Sequence, residues 1–125
     1  MQKIYQTTLA EIVKFHGKGL HTGKVSNLTI LPGQTDQGIL FKRIDLKKNN
    51  LIPANYKNVS SARLCTTLEN ENGAKVSTVE HLLASLYILG IDNVTIEIDN
   101  EEVPIMDGSA KNFIDILSKV EVINL

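Results

Sequence analysis

Hydrophobic and polar positions alternate in short runs through the first half of the chain, and the period lengthens in the second. Residues 4–15 alternate loosely up to Gly17-Lys18-Gly19 and predict one strand. Residues 25–31 put Leu28 and Ile30 on one face and stop at Pro32-Gly33, which predicts another. Ile39, Leu40 and Phe41 form a short apolar run within residues 38–43, and Asn49, Asn50 and Pro53 mark an irregular connection after it. Residues 64–69 predict a further strand. Asn72-Gly73 then reads as a type I′ hairpin turn, because both residues tolerate positive φ.

At Ser77 the period moves from two to 3.6 residues and predicts a helix. Ser77 with Glu80 three residues on fits a capping box, and Gly90 supplies a left-handed stop. Val79, Leu82, Leu83, Leu86 and Leu89 make one apolar stripe of that helix. His81, Ala84, Ser85 and Ile88 make a second, on roughly the opposite side, where a surface helix would carry Lys and Glu. Both faces of the helix are therefore expected to meet something, with an exposed patch around Ala84, Ser85 and Ile88 available for self-association or for a missing layer. Val94, Ile96 and Ile98 alternate with Thr95 and Glu97 as a half-buried strand, and an acidic turn follows over residues 99–102. Ser109 is placed to cap a second helix that buries Phe113, Ile114, Leu117 and Val120, after which residues 121–125 run out. The order predicts an α+β fold: a two-layer sandwich with a mostly antiparallel sheet and two helices on one face, as a single domain over residues 1–125.

Composition narrows the function classes. The chain has 125 residues, 42% of them hydrophobic, and a formal charge of -1 from 13 basic and 14 acidic side chains. A core is attainable at this length without disulfides, and the lone Cys65 offers none. The balanced charge argues against a dedicated nucleic-acid binder, whose phosphate contacts need clustered Lys and Arg in excess. No apolar stretch is long enough for a membrane span, and the polar N-terminal segment lacks the apolar core of a signal peptide, so a cytoplasmic location is expected.

Candidate chemistry is sparse. Gly17, Gly19 and Gly23 around His21 have the wrong spacing for a dinucleotide fingerprint and lead into a strand, so a tight turn is the better account. Glu80 and His81 form the best candidate pair: imidazole binds zinc, and a neighbouring carboxylate that is not a ligand can accept a proton from water. The metalloprotease pattern needs a second His four residues on, where Ser85 stands. On spacing alone Glu80 reads as a capping residue and His81 as an ordinary polar one. Glu97, Asp99, Glu101 and Glu102 lack the pattern of a calcium loop and read as a solvated turn. Cys65, on an expected strand beside Leu64, reads as a buried inert thiol.

Five segments taken in order carry more. Gly19-Leu20-His21-Thr22-Gly23, Leu64-Cys65-Thr66, Ser77-Thr78-Val79-Glu80-His81-Leu82, Gly90-Ile91-Asp92-Asn93 and Pro104-Ile105-Met106-Asp107-Gly108-Ser109-Ala110 together closely resemble the N-terminal half of the UDP-3-O-acyl-N-acetylglucosamine deacetylases, zinc hydrolases of lipid A synthesis in Gram-negative bacteria. The resemblance implies that water activated by zinc attacks the acetamide carbonyl of a UDP-linked acyl sugar, with His81 as a zinc ligand and Glu80 as the general base. It also implies substrate contact or shaping for Leu20, Leu64 and Cys65, and a supporting place for His21 behind the ligands. The family's other two zinc ligands and its general acid lie in a second, similar domain that nothing in this sequence resembles. The resemblance therefore implies an N-terminal domain that is inactive alone and pairs with the C-terminal domain of the same enzyme. The alternative is an interaction domain that keeps the fold without the chemistry.

Overall fold

The structure, a computed structural model, describes residues 4–62 and 64–125. The elements follow in the order β1 (Thr7–Leu9), β2 (Val13–Lys18), β3 (Val25–Pro32), β4 (Ile39–Arg43), β5 (Leu51–Pro53), a 3-10 turn (Tyr56–Asn58), β6 (Val59–Ser61), β7 (Thr67–Glu69), β8 (Lys75–Ser77), α1 (Glu80–Ile88), β9 (Val94–Ile98), α2 (Lys111–Leu117) and β10 (Val122–Asn124). The class is α+β, with mostly antiparallel sheets.

The main sheet has the order β2-β3-β9-β4-β5, and only its β4–β9 pair is parallel. β9 is the last of these strands in sequence yet lies at the centre. Its composition accounts for this, because Val94, Ile96 and Ile98 are all fully buried and a central strand must fill its inner face completely. Register then aligns a continuous apolar row across the sheet, Val13 opposite Ile30, Ile30 opposite Ile96, Ile96 opposite Phe41 and Phe41 opposite Ile52. A parallel row runs Phe15, Leu28, Ile98. The helices cover this face with Leu82 and Leu86 of α1 and Phe113 and Leu117 of α2, all buried. The Phe15 and Phe113 rings meet edge to face at 5.0 Å, a geometry that adds about 0.5–1.5 kcal/mol to the area buried.

Several local expectations need correction. Residues 4–15 form two strands in different sheets, because Thr7, Thr8 and Leu9 are all buried and do not alternate. The Thr8 hydroxyl donates to the Asn93 carbonyl at 2.5 Å, and that of Thr7 donates to the Gly90 carbonyl. β1 then takes β10 as its antiparallel partner, so residues 121–125 do not run out: Leu9 faces Val122, and the Leu125 amide donates to the Gln6 carbonyl at 2.8 Å. The β7–β8 hairpin exists without a type I′ turn. Gly73 alone has positive φ, and the Asn70 side-chain oxygen accepts the amides of Asn72 and Ala74, both at 3.0 Å, closing a longer loop.

α1 ends as expected. Gly90 has φ +70, its amide donates to the Tyr87 carbonyl, and the Ile91 amide donates to the Leu86 carbonyl. Those two bonds occupy the Leu86 and Tyr87 carbonyls in the last turn of the helix. Ser109 receives the Lys111 amide at 3.2 Å at the entrance of α2. Ser85, expected in an exposed patch, is fully buried and donates to the carbonyls of His81 and Ala110, because α2 packs over that side of α1. The open face of α1 consists instead of Ala84, Tyr87 and Ile88, the last two 86% and 64% exposed. Among the described residues no helix is long and apolar enough to cross a membrane.

Candidate functional site

The residues singled out by sequence lie on three segments: the loop between β2 and β3, the stretch before β7, and the first turn of α1. The loop is a tight connection, as its glycines predict. The Gly19 amide donates to the Lys24 carbonyl at 2.9 Å, and the Gly23 amide to the Gly19 carbonyl at 3.0 Å. Leu20 and His21 stand exposed at its tip.

α1 does not begin at Ser77, and the Ser77/Glu80 capping box is absent. Ser77 is the last residue of β8, paired with Thr67, and its hydroxyl accepts that of Thr67 at 3.0 Å. Helix starts with Glu80, after a left-handed Thr78 at φ +60. That conformation is an outlier for a β-branched residue, costs about 1–3 kcal/mol and persists only where the surroundings enforce it. They do: Thr78 is buried, its amide donates to the Thr66 carbonyl at 2.9 Å, and its hydroxyl donates to Glu102 Oε2 at 2.6 Å.

Glu80 is half-buried, and its Oε2 accepts the Thr66 amide at 2.9 Å. Its Oε1 has no hydrogen-bond partner among the described residues, so one carboxylate oxygen is held and the other is open to a ligand. His81 follows on the same turn, half-buried, with no side-chain hydrogen bond among the described residues.

Cys65 and Leu64 are not on a strand. They lie in a bend before β7, with Leu64 84% exposed and Cys65 half-buried. There they join His21 and Ser61 around an open, mostly apolar cavity of about 350 Å³. His21, Leu64 and Cys65 are thus brought together by the fold, while Leu20, exposed next to His21 in the loop, is not among the residues that line the cavity. Thr66, next to Cys65, is bonded at both its amide and its carbonyl to the start of α1. Among the described residues no three His, Cys, Asp or Glu side chains group to hold a metal ion. A catalytic zinc takes three protein ligands, and the described residues do not bring three such side chains together.

Glu102 does not lie in the solvated acidic turn that its neighbours predict. It is fully buried; its carboxylate accepts the Thr22 amide at 2.8 Å and the His21 amide at 3.0 and 3.1 Å, besides the Thr78 hydroxyl. The neighbouring Asp99 and Glu101 do occupy the surface turn. Residue type cannot separate Glu102 from them, since what differs is the parallel bridge that sets it beside Ser77. Burial alone would raise the Glu102 pKa, but the bonds from Thr78, Thr22 and His21 outweigh it and hold the carboxyl below its ordinary value of 4.5. A carboxyl depressed on folding stabilises the native state above its unfolded pKa, and that contribution disappears as pH falls through the folded one. Thermal unfolding is accordingly expected to show a loss of Tm on acidification below about 4.5. Glu102→Gln flattens that step if Glu102 carries it. A step of unchanged size in the variant would assign it elsewhere.

Against known proteins, the family model described as UDP-3-O-acyl N-acetylglycosamine deacetylase matches residues 6–125. Curated relatives include proteins named UDP-3-O-acyl-N-acetylglucosamine deacetylase. That of Sodalis glossinidius (strain morsitans) is 48% identical over 114 residues, which cover 91% of this chain and 37% of the relative. The one from Wigglesworthia glossinidia brevipalpis is 46% identical over 114 residues, 91% of this chain and 38% of the relative. In Vibrio vulnificus (strain YJ016) the identity is 46% over 119 residues, 95% of this chain and 39% of the relative. The chain thus spans somewhat over a third of the length of the curated relatives it matches. With the match running across nearly all of its residues, the chain belongs to the UDP-3-O-acyl N-acetylglycosamine deacetylase family.

Proposed function

We propose that this chain is the N-terminal domain of a cytoplasmic, zinc-dependent deacetylase that hydrolyses the acetamide of UDP-3-O-acyl-N-acetylglucosamine to acetate and the free amine. The observation that carries the reading is the Glu80–His81 turn. Among the described residues the His81 imidazole has no hydrogen-bond partner, and it stands beside a carboxylate that is held at Oε2 by the Thr66 amide, with no such partner at Oε1. His81 supplies one zinc ligand, and the other two come from a C-terminal domain. When bound, zinc polarises the carbonyl and lowers the pKa of water. Glu80 Oε1 takes a proton as water adds to the acetamide carbon, and the C–N bond then breaks as the leaving nitrogen gains a proton from the general acid of the C-terminal domain, giving acetate and the free amine. A base within hydrogen-bond reach of that proton, ionised at neutral pH, is what this step requires. His21, Leu64 and Cys65 shape the adjoining cavity for the substrate, and Leu20 at the loop tip borders it.

The same reading gives the open face of α1 a purpose. Ala84, Tyr87 and Ile88 form the surface on which the C-terminal domain docks, and in its absence the same surface can support self-association. The chain alone is inactive. Acetate release from the nucleotide sugar, measured with zinc for this chain alone and for the chain completed by a C-terminal half, is expected only from the completed enzyme. Turnover by the chain alone, or none by the completed enzyme, contradicts the proposal.

A further inference from the structure

Three segments far apart in sequence carry the candidate site: residues 19–23, 64–66 and 77–81. One side chain from outside all of them joins them. Glu102 is fully buried, and a buried carboxylate is tolerated only when its oxygens are hydrogen-bonded. Its partners come from two different segments, the amides of His21 and Thr22 on one side and the Thr78 hydroxyl on the other. Its carbonyl also accepts the Ser26 hydroxyl at 2.6 Å, which fixes its backbone to β3. The loop is built around the carboxylate: a Cβ on Gly19 would collide with the Glu102 carboxylate and the Thr22 hydroxyl. From Thr78 the connection continues through the Thr66 carbonyl, and the Thr66 amide returns to Glu80 Oε2. The path from His21 to Glu80 therefore consists of direct hydrogen bonds and short backbone steps.

We propose that Glu102 is the positioning residue of this site, holding the His21 loop against the turn that starts α1 and so fixing the cavity relative to Glu80 and His81. Its kinetic consequence rests on the deacetylase reading above, whereas its structural consequence does not. The larger cleft, about 600 Å³ beneath Asn49, Asn50, Asn70 and Asn72, offers no comparable arrangement, because the Asn50 and Asn70 amides are spent on the carbonyls of residues 43, 49 and 51.

Glu102→Gln keeps the shape while removing the charge that strengthens these bonds. In the completed enzyme kcat is expected to fall about 10- to 100-fold, the range for loss of an outer-shell partner. KM should move less, since misalignment acts on the reacting geometry. In this chain alone, amide spectra of the variant are expected to shift at His21 and Thr22 and also at Glu80 and His81. Thr78→Val should reproduce both effects and Thr78→Ser should restore kcat, so this pair decides the question should Glu102→Gln fail to fold. A merely structural role would lower Tm, leave kcat per folded molecule unchanged and leave the Glu80 and His81 amides in place; either of the last two results overturns the proposal. If the unsubstituted completed enzyme releases no acetate, the deacetylase reading fails and the amide shifts still decide the positioning role.

Discussion

Replacing Glu80 with Gln is expected to lower acetate release by the completed enzyme about 10²- to 10⁴-fold, the usual contribution of a general base, with zinc content unchanged. The substitution separates the two roles that the sequence offers for this residue. Gln retains an oxygen that can accept the Thr66 amide, so the tie between the first turn of α1 and the segment before β7 survives. What it cannot do is accept a proton at the other position. Were Glu80 only a residue stabilising the helix start, the whole effect would be about 0.5–2 kcal/mol of stability and kcat per folded molecule would not change. Measuring kcat and Tm together distinguishes the cases. A variant with normal kcat and lowered Tm removes Glu80 from the chemistry.

The elements that the sequence made legible are those whose signal is local. β3 and β9 alternate because one face of each is buried, and Leu28, Ile30, Ile96 and Ile98 occupy that face as the pattern requires. The α1 stripe and its Gly90 stop are likewise contained within one helix. Failures occur where a partner distant in sequence decides. Ser77 and Glu80 have the spacing of a capping box, but Ser77 is claimed by Thr67 across the β7–β8 ladder and Glu80 by the Thr66 amide. Residues 121–125 have little pattern of their own and become a strand because the buried β1 presents an edge to them. Glu102 looks like its acidic neighbours until the His21 loop and Thr78 converge on it.

The candidate site divides the same way. No property of Leu64, Cys65 and His21 taken singly places them around one cavity, since that depends on how the β2–β3 loop meets the bend before β7. Motif resemblance selected all three where periodicity could not. Ser61, Thr66 and Thr78 were missed as contributors. Thr66 and Thr78 contribute through backbone bonds and a left-handed φ, and Ser61 through its place in the cavity wall, and none of these leaves a mark on residue type. Ser85 was misassigned for a related reason: a small residue on a helix face suits an open patch and close helix packing equally, and here α2 decides.

The central claim is that His81 is one of three zinc ligands whose other two stand on a different domain. Zinc titration, following bound metal per molecule, tests it most directly. The completed enzyme should take up one equivalent tightly. This chain alone should not, and His81→Ala in the completed enzyme should weaken binding by more than the roughly 10- to 100-fold that loss of an outer-shell partner costs. Stoichiometric tight uptake by this chain alone, or unaltered zinc affinity in the His81→Ala enzyme, would contradict the account.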